Sequence, residues 1–459
     1  MNIVNEYDEF LKRKQHLSGN FGFKPNFIPD IAFDFQSYII ENAVKKGRQA
    51  IFADTGLGKT LIELSIAQNI VKHTNKRVLI LTPLAVAFQF IIEAAKIGID
   101  DIEYTKDGKH TKKIVLCNYE RLHYLNENDF VGIILDESSI LKNFDGKIKG
   151  QITAFVKKMP YRFLGTATPS PNDYIELGTS SEVLGYLPYM EMLTRFFANN
   201  ENNIRPQEIA CKWYLKPHAR DDFFKWIKGW AISIQKPSDL GFSDERYILH
   251  ELIKNIHSVR NDKNWVVNGQ VQMFNINART MTEVKQEQQM TIENRCIKAV
   301  ELAQSHETSV YWCNYNAEGD LLQALDKTAY QLKGSMDIDK KEDILLNFAK
   351  GDIKKIITKA KITAFGLNWQ HCNHTTYFPD WSYEKYYQAI RRFWRFGQLN
   401  DVTADLIISD GQKRVMDTLI LKTEKAKEMF QILNNTLHSE VKFNKKEFNK
   451  EIILPTFLK

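Results

Sequence analysis

The sequence predicts an α/β protein with two domains, each a parallel β-sheet flanked by helices. Its 459 residues are too many for one compact core and suit two to three domains. In both halves, short and nearly all-apolar segments alternate with helical patterns, as in parallel sheets that are covered on both faces. The alternation fades between about residues 185 and 279, which separates the halves.

The composition is ordinary for a soluble globular protein, with 43% hydrophobic and 26% charged residues. No apolar stretch approaches the ~18 residues that span a bilayer, so no membrane is expected as a partner. The five cysteines are odd in number and lack paired spacing, which indicates a reducing compartment without disulfides or a zinc site. The net charge of +6 permits a polyanionic partner without demanding one.

Residues 1–34 predict an N-terminal extension of uncertain role, and a helix runs from Phe35 to about Lys46. A short buried strand, Ala50–Ala53, then enters a glycine turn, followed by Lys59, Thr60 and an amphipathic helix. This order is typical of a phosphate-binding loop, although Ala53 stands where the usual pattern has glycine. The alternative is an ordinary strand–turn–helix corner.

The chemistry of a phosphate loop needs these residue types. Gly56 and Gly58 allow positive φ, so that successive N–H groups can surround phosphate oxygens. Lys59 is expected to reach the β- and γ-phosphates of ATP, and the Thr60 hydroxyl to bind Mg²⁺. The residues predicted to bind the nucleotide are Thr55, Gly56, Gly58, Lys59 and Thr60.

Four further apolar segments, 77–81, 113–117, 131–135 and 161–165, predict strands of the same sheet. Ligands bind at the carboxyl ends of such strands. Asp136 and Glu137 follow one of them, so we expect Asp136 to hold Mg²⁺ and Glu137 to activate the attacking water. An acidic cap on the next helix is the alternative, but it does not explain the pairing with a phosphate loop.

The segments AxTGxGKT, LTP, NYERL, DES and GTATP, in this order, resemble the first motor domain of superfamily 2 helicases. The resemblance implies a RecA-like domain from 35 to 240 in which Gln36 reads adenine. It also implies that four residues couple the ATP site to nucleic acid: Thr82, Pro83, Thr166 and Thr168. The DESS form of the second box resembles the Swi/Snf-like branch and phage-borne relatives. This implies the cytoplasm of a bacterium or of a phage-infected host cell.

Aromatic and basic residues are interleaved late in this domain, over about 185–240. They allow two interpretations of equal weight, a stacking platform for nucleic acid or the buried face of a helix. A protein partner for this segment is left open. The turn-forming stretch 236–241 predicts the break to a second domain, 241–459, that ends in a helical extension.

The second half has no phosphate loop, but it contains QAIRRFWRFGQ. We expect a helix from Tyr383 to Trp394 that places Arg392 and Arg395 on one face. Two guanidiniums there could act as arginine fingers on the γ-phosphate, or form a basic surface that contacts backbone phosphates. The motif resembles the last one of the Swi/Snf-like branch, which implies roles for Gln388 and both arginines in ATP hydrolysis. Arg391 stands where that family has an acidic residue.

The preceding segment resembles a motif that contacts nucleic acid and couples the domains, which implies such roles for Lys359, Gly366 and Asn368. Together these features predict two stacked RecA-like domains with ATP and Mg²⁺ in the cleft between them, forming a translocase on double-stranded DNA. Alternatives are a strand-separating helicase on single strands and an ATP-gated, non-catalytic DNA clamp. A packaging ATPase with a nuclease half lacks the carboxylate cluster that it needs.

Overall fold

The structure is a computed structural model of the chain. It describes residues 21–83, 86–142, 146–170, 173–199, 213–245, 247, 249–260, 265–267, 270–272, 281–360, 362 and 369–440. The chain forms two compact units. The first comprises the residues up to Thr82, Phe90–Arg246 and those from Glu428 onward, and the second comprises Pro83–Gln89 and Tyr247–Lys427.

The first unit contains a sheet of seven strands that pair in parallel throughout. In chain order the strands of this sheet are β1 (Arg48–Ala53), β2 (Arg77–Thr82), β3 (Ile102–Tyr104), β4 (Ile114–Asn118), β5 (Phe130–Asp136), β6 (Tyr161–Thr166) and β9 (Ala231–Ile234). Between β6 and β9, β7 (Phe197–Asn199) and β8 (Trp213–Leu215) form a separate antiparallel pair. The order across the sheet is β3-β4-β2-β5-β6-β1-β9. The strands predicted from apolar segments are confirmed, because their side chains are buried on both faces.

Among the described residues of this part of the chain, seven helices occur: α1 (Asp34–Lys46), α2 (Lys59–Thr74), α3 (Ala87–Lys96), α4 (Lys147–Phe155), α5 (Leu177–Leu184), α6 (Tyr189–Phe196) and α7 (Arg220–Trp230). For the aromatic residues of α7, the structure favours the buried-face interpretation. Its Phe223, Trp226 and Trp230 side chains are at most 2% exposed, and Trp230 packs edge-on against Phe52 of β1. The aromatic residues of α7 therefore form a buried face. Strand β9 follows α7 directly and returns the chain to the sheet.

The second unit contains six parallel strands in the order β10-β17-β16-β13-β15-β14. In chain order the strands are β10 (Leu252–Val259), an antiparallel pair β11 (Trp265–Val267) and β12 (Gln270–Gln272), then β13 (Ser309–Trp312), β14 (Ala329–Gln331), β15 (Lys355–Thr358), β16 (His374–Tyr377) and β17 (Val402–Ser409). Its helices are α8 (Met281–Met290), α9 (Ile292–Ala303), α10 (Asn316–Leu325), α11 (Ile338–Lys350), α12 (Tyr383–Ile390) and α13 (Lys413–Glu440), the last of which continues into the first unit.

The segment 283–304 has a continuous helical sequence pattern, but it forms two helices separated by Thr291. One helix prediction in this unit was wrong in its bounds. The helix expected to reach Trp394 ends at Ile390, where the Arg391 amide bonds the carbonyls of Ala389 and Tyr387. Among the described helices, none is long and apolar enough to cross a membrane.

Candidate nucleotide site

The loop between β1 and α2 has the backbone of a phosphate-binding loop. Gly56 and Gly58 have φ angles of 87° and 77°, so the prediction of positive φ at both glycines is confirmed. Gly58 directly precedes α2, and the N–H groups of the first helical turn face outward from this end. A Cβ atom at Gly58 would lie 2.2 Å from the Gln36 amide nitrogen, which is a second reason for glycine there.

Contacts with the neighbouring backbone fix this loop. Nζ of Lys59 donates to the carbonyl of Ala53 over 2.9 Å and lies 3.4 Å from that of Asp54. The Asp54 carboxylate accepts a hydrogen bond from the Thr55 amide over 2.6 Å. The Asp54 amide in turn donates to the Ile234 carbonyl, at the end of β9. The strand that returns from the aromatic segment therefore supports the phosphate loop directly.

Gln36 joins the start of α1 to the same loop. Its Nε2 donates to the Leu57 carbonyl over 2.9 Å, and its Oε1 accepts from the Phe33 amide over 3.0 Å. The side chain is 4% exposed. One N–H and one oxygen lone pair of the amide remain for a purine edge, so these contacts are compatible with the predicted adenine-reading role.

Asp136 and Glu137 stand at the carboxyl end of β5. The Asp136 carboxylate is buried and accepts a hydrogen bond from the Thr82 hydroxyl, and its carbonyl accepts one from the Tyr119 hydroxyl over 2.5 Å. Burial, and then the charge of Glu137, raise the pKa of Asp136 to about 7, although the Thr82 bond lowers it. Tyr119 lies within the NYERL segment, but its contact with Asp136 was not predicted, because the two residues meet only in the folded sheet.

Glu137 has a φ of 53°, in the left-handed region that few non-glycine residues adopt. Such a conformation costs of order 1–3 kcal/mol and is concentrated at functional positions. This residue connects the end of β5, at Asp136, to the short helical segment Ser138–Lys142. The backbone at Glu137 thus deviates from ordinary geometry at the residue predicted to activate water.

β6 lies between β5 and β1 and brings the Thr-Ala-Thr segment to the same edge of the sheet. Gly165 pairs with Asp136 in register, and Thr166 pairs with Phe52. The Thr168 amide donates to the Thr166 hydroxyl over 3.0 Å, and both side chains are buried. In this unit the structure therefore brings together the ends of β1, β2, β5 and β6, which carry the predicted residues. Pro83 follows β2 and is half-buried.

Glu63 on α2 is a residue of this site that the sequence did not predict. Its side chain is 1% exposed, and neither carboxylate oxygen has a hydrogen-bond partner within the described part of the chain. Burial, and then the charge of Asp136, raise its pKa well above the ordinary value, while Lys59 acts in the opposite direction. The one available signal was its spacing, because Glu63 follows Thr60 by three residues on the same helix.

The predicted residues of the second unit lie in and after α12. Gln388 is half-buried within α12, whereas Arg392 and Arg395 follow it in a turn, so their predicted place on one helix face was wrong. The Arg392 carbonyl accepts a hydrogen bond from the Trp369 amide over 3.2 Å, and this contact holds the turn. Arg391 is 4% exposed and its guanidinium stacks 4.7 Å from the Trp394 ring centre.

Arg391 is thus a packing residue at the position where the family motif has an acid. Lys359 follows β15, and its Nζ bonds the Asn316 side chain over 2.6 Å. Gly366 and Asn368 lie outside the described residues. The described residues contain no group of three or more histidine, cysteine or acidic side chains placed to hold a metal ion.

Two families match the chain. Residues 33–177 match the DEAD/DEAH box helicase family, and residues 287–397 match the helicase conserved C-terminal domain. The two matches lie in separate parts of the chain, one in each sheet-forming half. A similar solved structure is the Sulfolobus solfataricus SWI2/SNF2 ATPase core in complex with dsDNA. It has 18% sequence identity and a TM-score of 0.43, and the alignment covers 90% of this chain and 98% of that one. No curated protein sequence matches the chain significantly.

With the two family matches, the parallel sheets described above are the tandem RecA-like domains of a helicase core. Such domains imply an ATP-hydrolysing protein that acts on nucleic acid. The donor set of the first domain fits a hydrated divalent cation, since it combines the Thr60 hydroxyl with the buried carboxylates of Asp136 and Glu63. When bound, Mg²⁺ supplies positive charge that neutralises phosphate oxygens.

Proposed function

We propose that the protein couples ATP hydrolysis to movement along double-stranded DNA. The observation that carries the ATPase part is the meeting of the phosphate loop, Asp136 and Glu137 at one edge of the first sheet. Two glycines with positive φ, a lysine beside the loop and a strained glutamate at the adjoining edge form a site suited to phosphoryl transfer.

In this mechanism each residue of the first domain has a separate task. Lys59 and the backbone amides after Gly56 bind the phosphates, and Gln36 orients the base. Thr60 and Asp136 would hold Mg²⁺. Glu137 accepts a proton from the attacking water, which needs an ionised carboxylate at the operating pH.

We propose that Arg395, together with Arg392 and Gln388, acts on the charge that develops on the γ-phosphate. The support is the QAxxRxxRxGQ motif and the position of both arginines in a turn whose backbone is hydrogen-bonded to Trp369. A finger on one domain and a phosphate loop on the other make hydrolysis depend on domain movement, which is how turnover becomes translocation. Lys359 and the segments around Thr82 and Thr166 would transmit contact with the DNA backbone.

One observation favours duplex tracking over a helicase that stacks single-stranded bases. The aromatic side chains of α7, which were candidates for a stacking platform, are at most 2% exposed and support the core. Base stacking needs open aromatic faces. Tracking a duplex uses backbone phosphates instead, for which base identity matters little. The resemblance of the DESS box and of the second-domain motif to the Swi/Snf-like branch supports the same conclusion.

The decisive experiment measures ATP hydrolysis without nucleic acid and then with duplex DNA, single-stranded DNA or RNA. We expect the largest stimulation with duplex DNA, with an affinity whose logarithm falls linearly in log salt by roughly 0.9 per phosphate neutralised. Displacement of a triplex-forming strand tests tracking, and a forked duplex tests unwinding. Fork opening without triplex displacement, together with stimulation by single strands alone, would leave the motor but reject duplex tracking.

A further inference from the structure

Glu63 is a buried acid without a structural partner. Within the described part of the chain, both of its carboxylate oxygens lack a hydrogen bond, and 1% of the residue is exposed. Burying a carboxyl group in this way costs several kcal/mol or forces it to take up a proton. Folding alone gives no reason to keep glutamate at this position, because an apolar side chain would pack there without the cost.

The carboxylate lies against the strand that borders the Asp136 strand. A Cβ atom placed on Gly165 would come within 1.9 Å of Oε1 of Glu63, so this oxygen touches the backbone of β6. Gly165 pairs in register with Asp136 on β5. The Glu63 carboxylate therefore reaches the same level of the sheet as Asp136.

The charges around this point do not balance by themselves. Glu63, Asp136 and Glu137 supply three acidic groups, and Lys59 is the cation that interacts with Glu63 among them. A divalent cation would supply the two missing positive charges, and carboxylates that do not ligate Mg²⁺ directly commonly bind its water molecules.

We propose that Glu63 is a positioning residue for hydrated Mg²⁺, accepting hydrogen bonds from the water shell of the ion held with ATP at Thr60 and Asp136. This inference rests on the proposed ATPase function. Glycine at position 165 then has a defined purpose, because it leaves room for the Glu63 carboxylate. Glu63 helps to select a hydrated divalent ion without contacting the nucleotide.

The test measures binding of a fluorescent ATP analogue to the full chain as a function of Mg²⁺ concentration. Glu63→Gln keeps the size of the side chain and removes its charge, and Gly165→Ala displaces the carboxylate without changing it. Gly132→Ala, on β5, is the matched control, because its added methyl would meet Tyr161 and Ile70 instead. Thermal unfolding of the metal-free variants is recorded in parallel.

We expect Glu63→Gln and Gly165→Ala to need about 10-fold more Mg²⁺ for half-maximal nucleotide binding, as typical for the loss of an outer-sphere partner. The control should match the wild type. Metal-free Glu63→Gln should unfold at the same or a higher temperature, because an unpaired buried acid has been removed. If the wild type needs Mg²⁺ for nucleotide binding and both test variants need the same Mg²⁺ concentration, the proposed role of Glu63 is wrong, whereas the proposed ATPase function stands. A wild type that binds no nucleotide overturns the proposed function itself.

Discussion

The Thr82 hydroxyl donates a hydrogen bond to Oδ2 of Asp136 over 2.9 Å, and both residues are buried. Thr82 ends β2 and Asp136 ends β5, and these strands are neighbours in the first sheet. A segment that the helicase resemblance associates with nucleic acid is thereby bonded to the residue proposed to hold Mg²⁺. A movement of the end of β2 would therefore change the environment of Asp136, and a movement of the end of β5 would change that of Thr82.

Thr82→Val should therefore shift the pH dependence of ATP hydrolysis. Asp136 has a pKa of about 7 that the Thr82 bond lowers, so loss of the hydroxyl raises it further. Because the ionised carboxylate of Asp136 is needed to hold Mg²⁺, kcat/KM should rise as the pH increases through this pKa. In the Thr82→Val variant, this rise in kcat/KM should occur at a higher pH. A lost hydrogen bond to a charged group is worth about 1.5–3 kcal/mol, which predicts roughly a 10-fold loss at pH 7. Thr82→Ser is the control, and identical profiles for the Val and Ser variants would contradict the prediction.

Lys59→Ala should abolish ATP turnover and leave the fold intact. Lys59 contributes a hydrogen bond to the Ala53 carbonyl, so the loss in unfolding free energy should stay near 1 kcal/mol. Phosphate release and a melting curve by circular dichroism measure the two effects. Lys76→Ala, at an exposed lysine just after α2, is the control. Hydrolysis at the parental rate would show that the loop is only a structural corner.

Glu137→Gln should separate nucleotide binding from chemistry. Glutamine has the same length and meets the same backbone strain at a φ of 53°, so the fold should not change. It cannot take a proton from water, so kcat should fall at least ~10²-fold while Mg-ATP affinity is kept. Single-turnover hydrolysis and equilibrium binding test this directly. Loss of binding in step with loss of rate would assign Glu137 to the metal site instead.

Arg395→Ala should lower the rate of hydrolysis although Arg395 belongs to the second unit. Removal of an arginine finger typically costs ~10³-fold or more in rate. Arg414→Ala, an exposed arginine of the same unit, is the control. ATPase assays and DNA binding should be measured on the same preparations. Unchanged turnover with weaker DNA binding would identify Arg395 as a contact to backbone phosphates.

The second sheet contains a buried acid whose role is structural. Asp405 lies 3.0 Å from Nε2 of His374 and 2.9 Å from Nε2 of His257, and it also accepts a bond from Asn255. Burial opposes its ionisation, but these hydrogen bonds outweigh burial and hold the pKa of Asp405 below its ordinary value. Its stabilising contribution is therefore complete above the ordinary aspartate pKa and is lost as the pH falls through the folded value.

Asp405→Asn should lower the unfolding free energy at pH 7 by about 2–4 kcal/mol, because the histidines lose a charged acceptor. The difference from the wild type should shrink as the pH falls below 4, where the wild type loses the same interaction. Urea titrations at pH 7 and at low pH measure both effects. Asp352→Asn, at an exposed position, is the control. An equal difference at both pH values would mean that packing, not charge, dominates.

The first half of the fold was predictable because its signals are local. The phosphate loop occupies consecutive residues, and each central strand is an apolar run bounded by turns, so β1, β2, β4, β5 and β6 were predicted to within two residues of their ends. Strands β3, β9, β10 and β17 of the two parallel sheets were missed. β3 is three residues long, and β10 alternates between half-buried and exposed residues at the edge of its sheet. β9 lies within residues 185–279, where the alternation of strands and helices fades, and β17 follows the turn-rich stretch 391–401.

By itself, the sequence determined which residues could form a nucleotide site, since glycine, lysine and carboxylate spacing is set within one loop or one strand end. Only the tertiary structure decided which side chains are buried and which meet. Glu63 became an unpartnered acid because Gly165 of a distant strand leaves room for it. The aromatic residues of α7 became core because β1 packs on them. Helix α12 stops at Ile390, and the turn after it is held by the Trp369 amide, which donates to the Arg392 carbonyl. Burial and pairing depend on residues far apart in the chain, and spacing alone does not encode them.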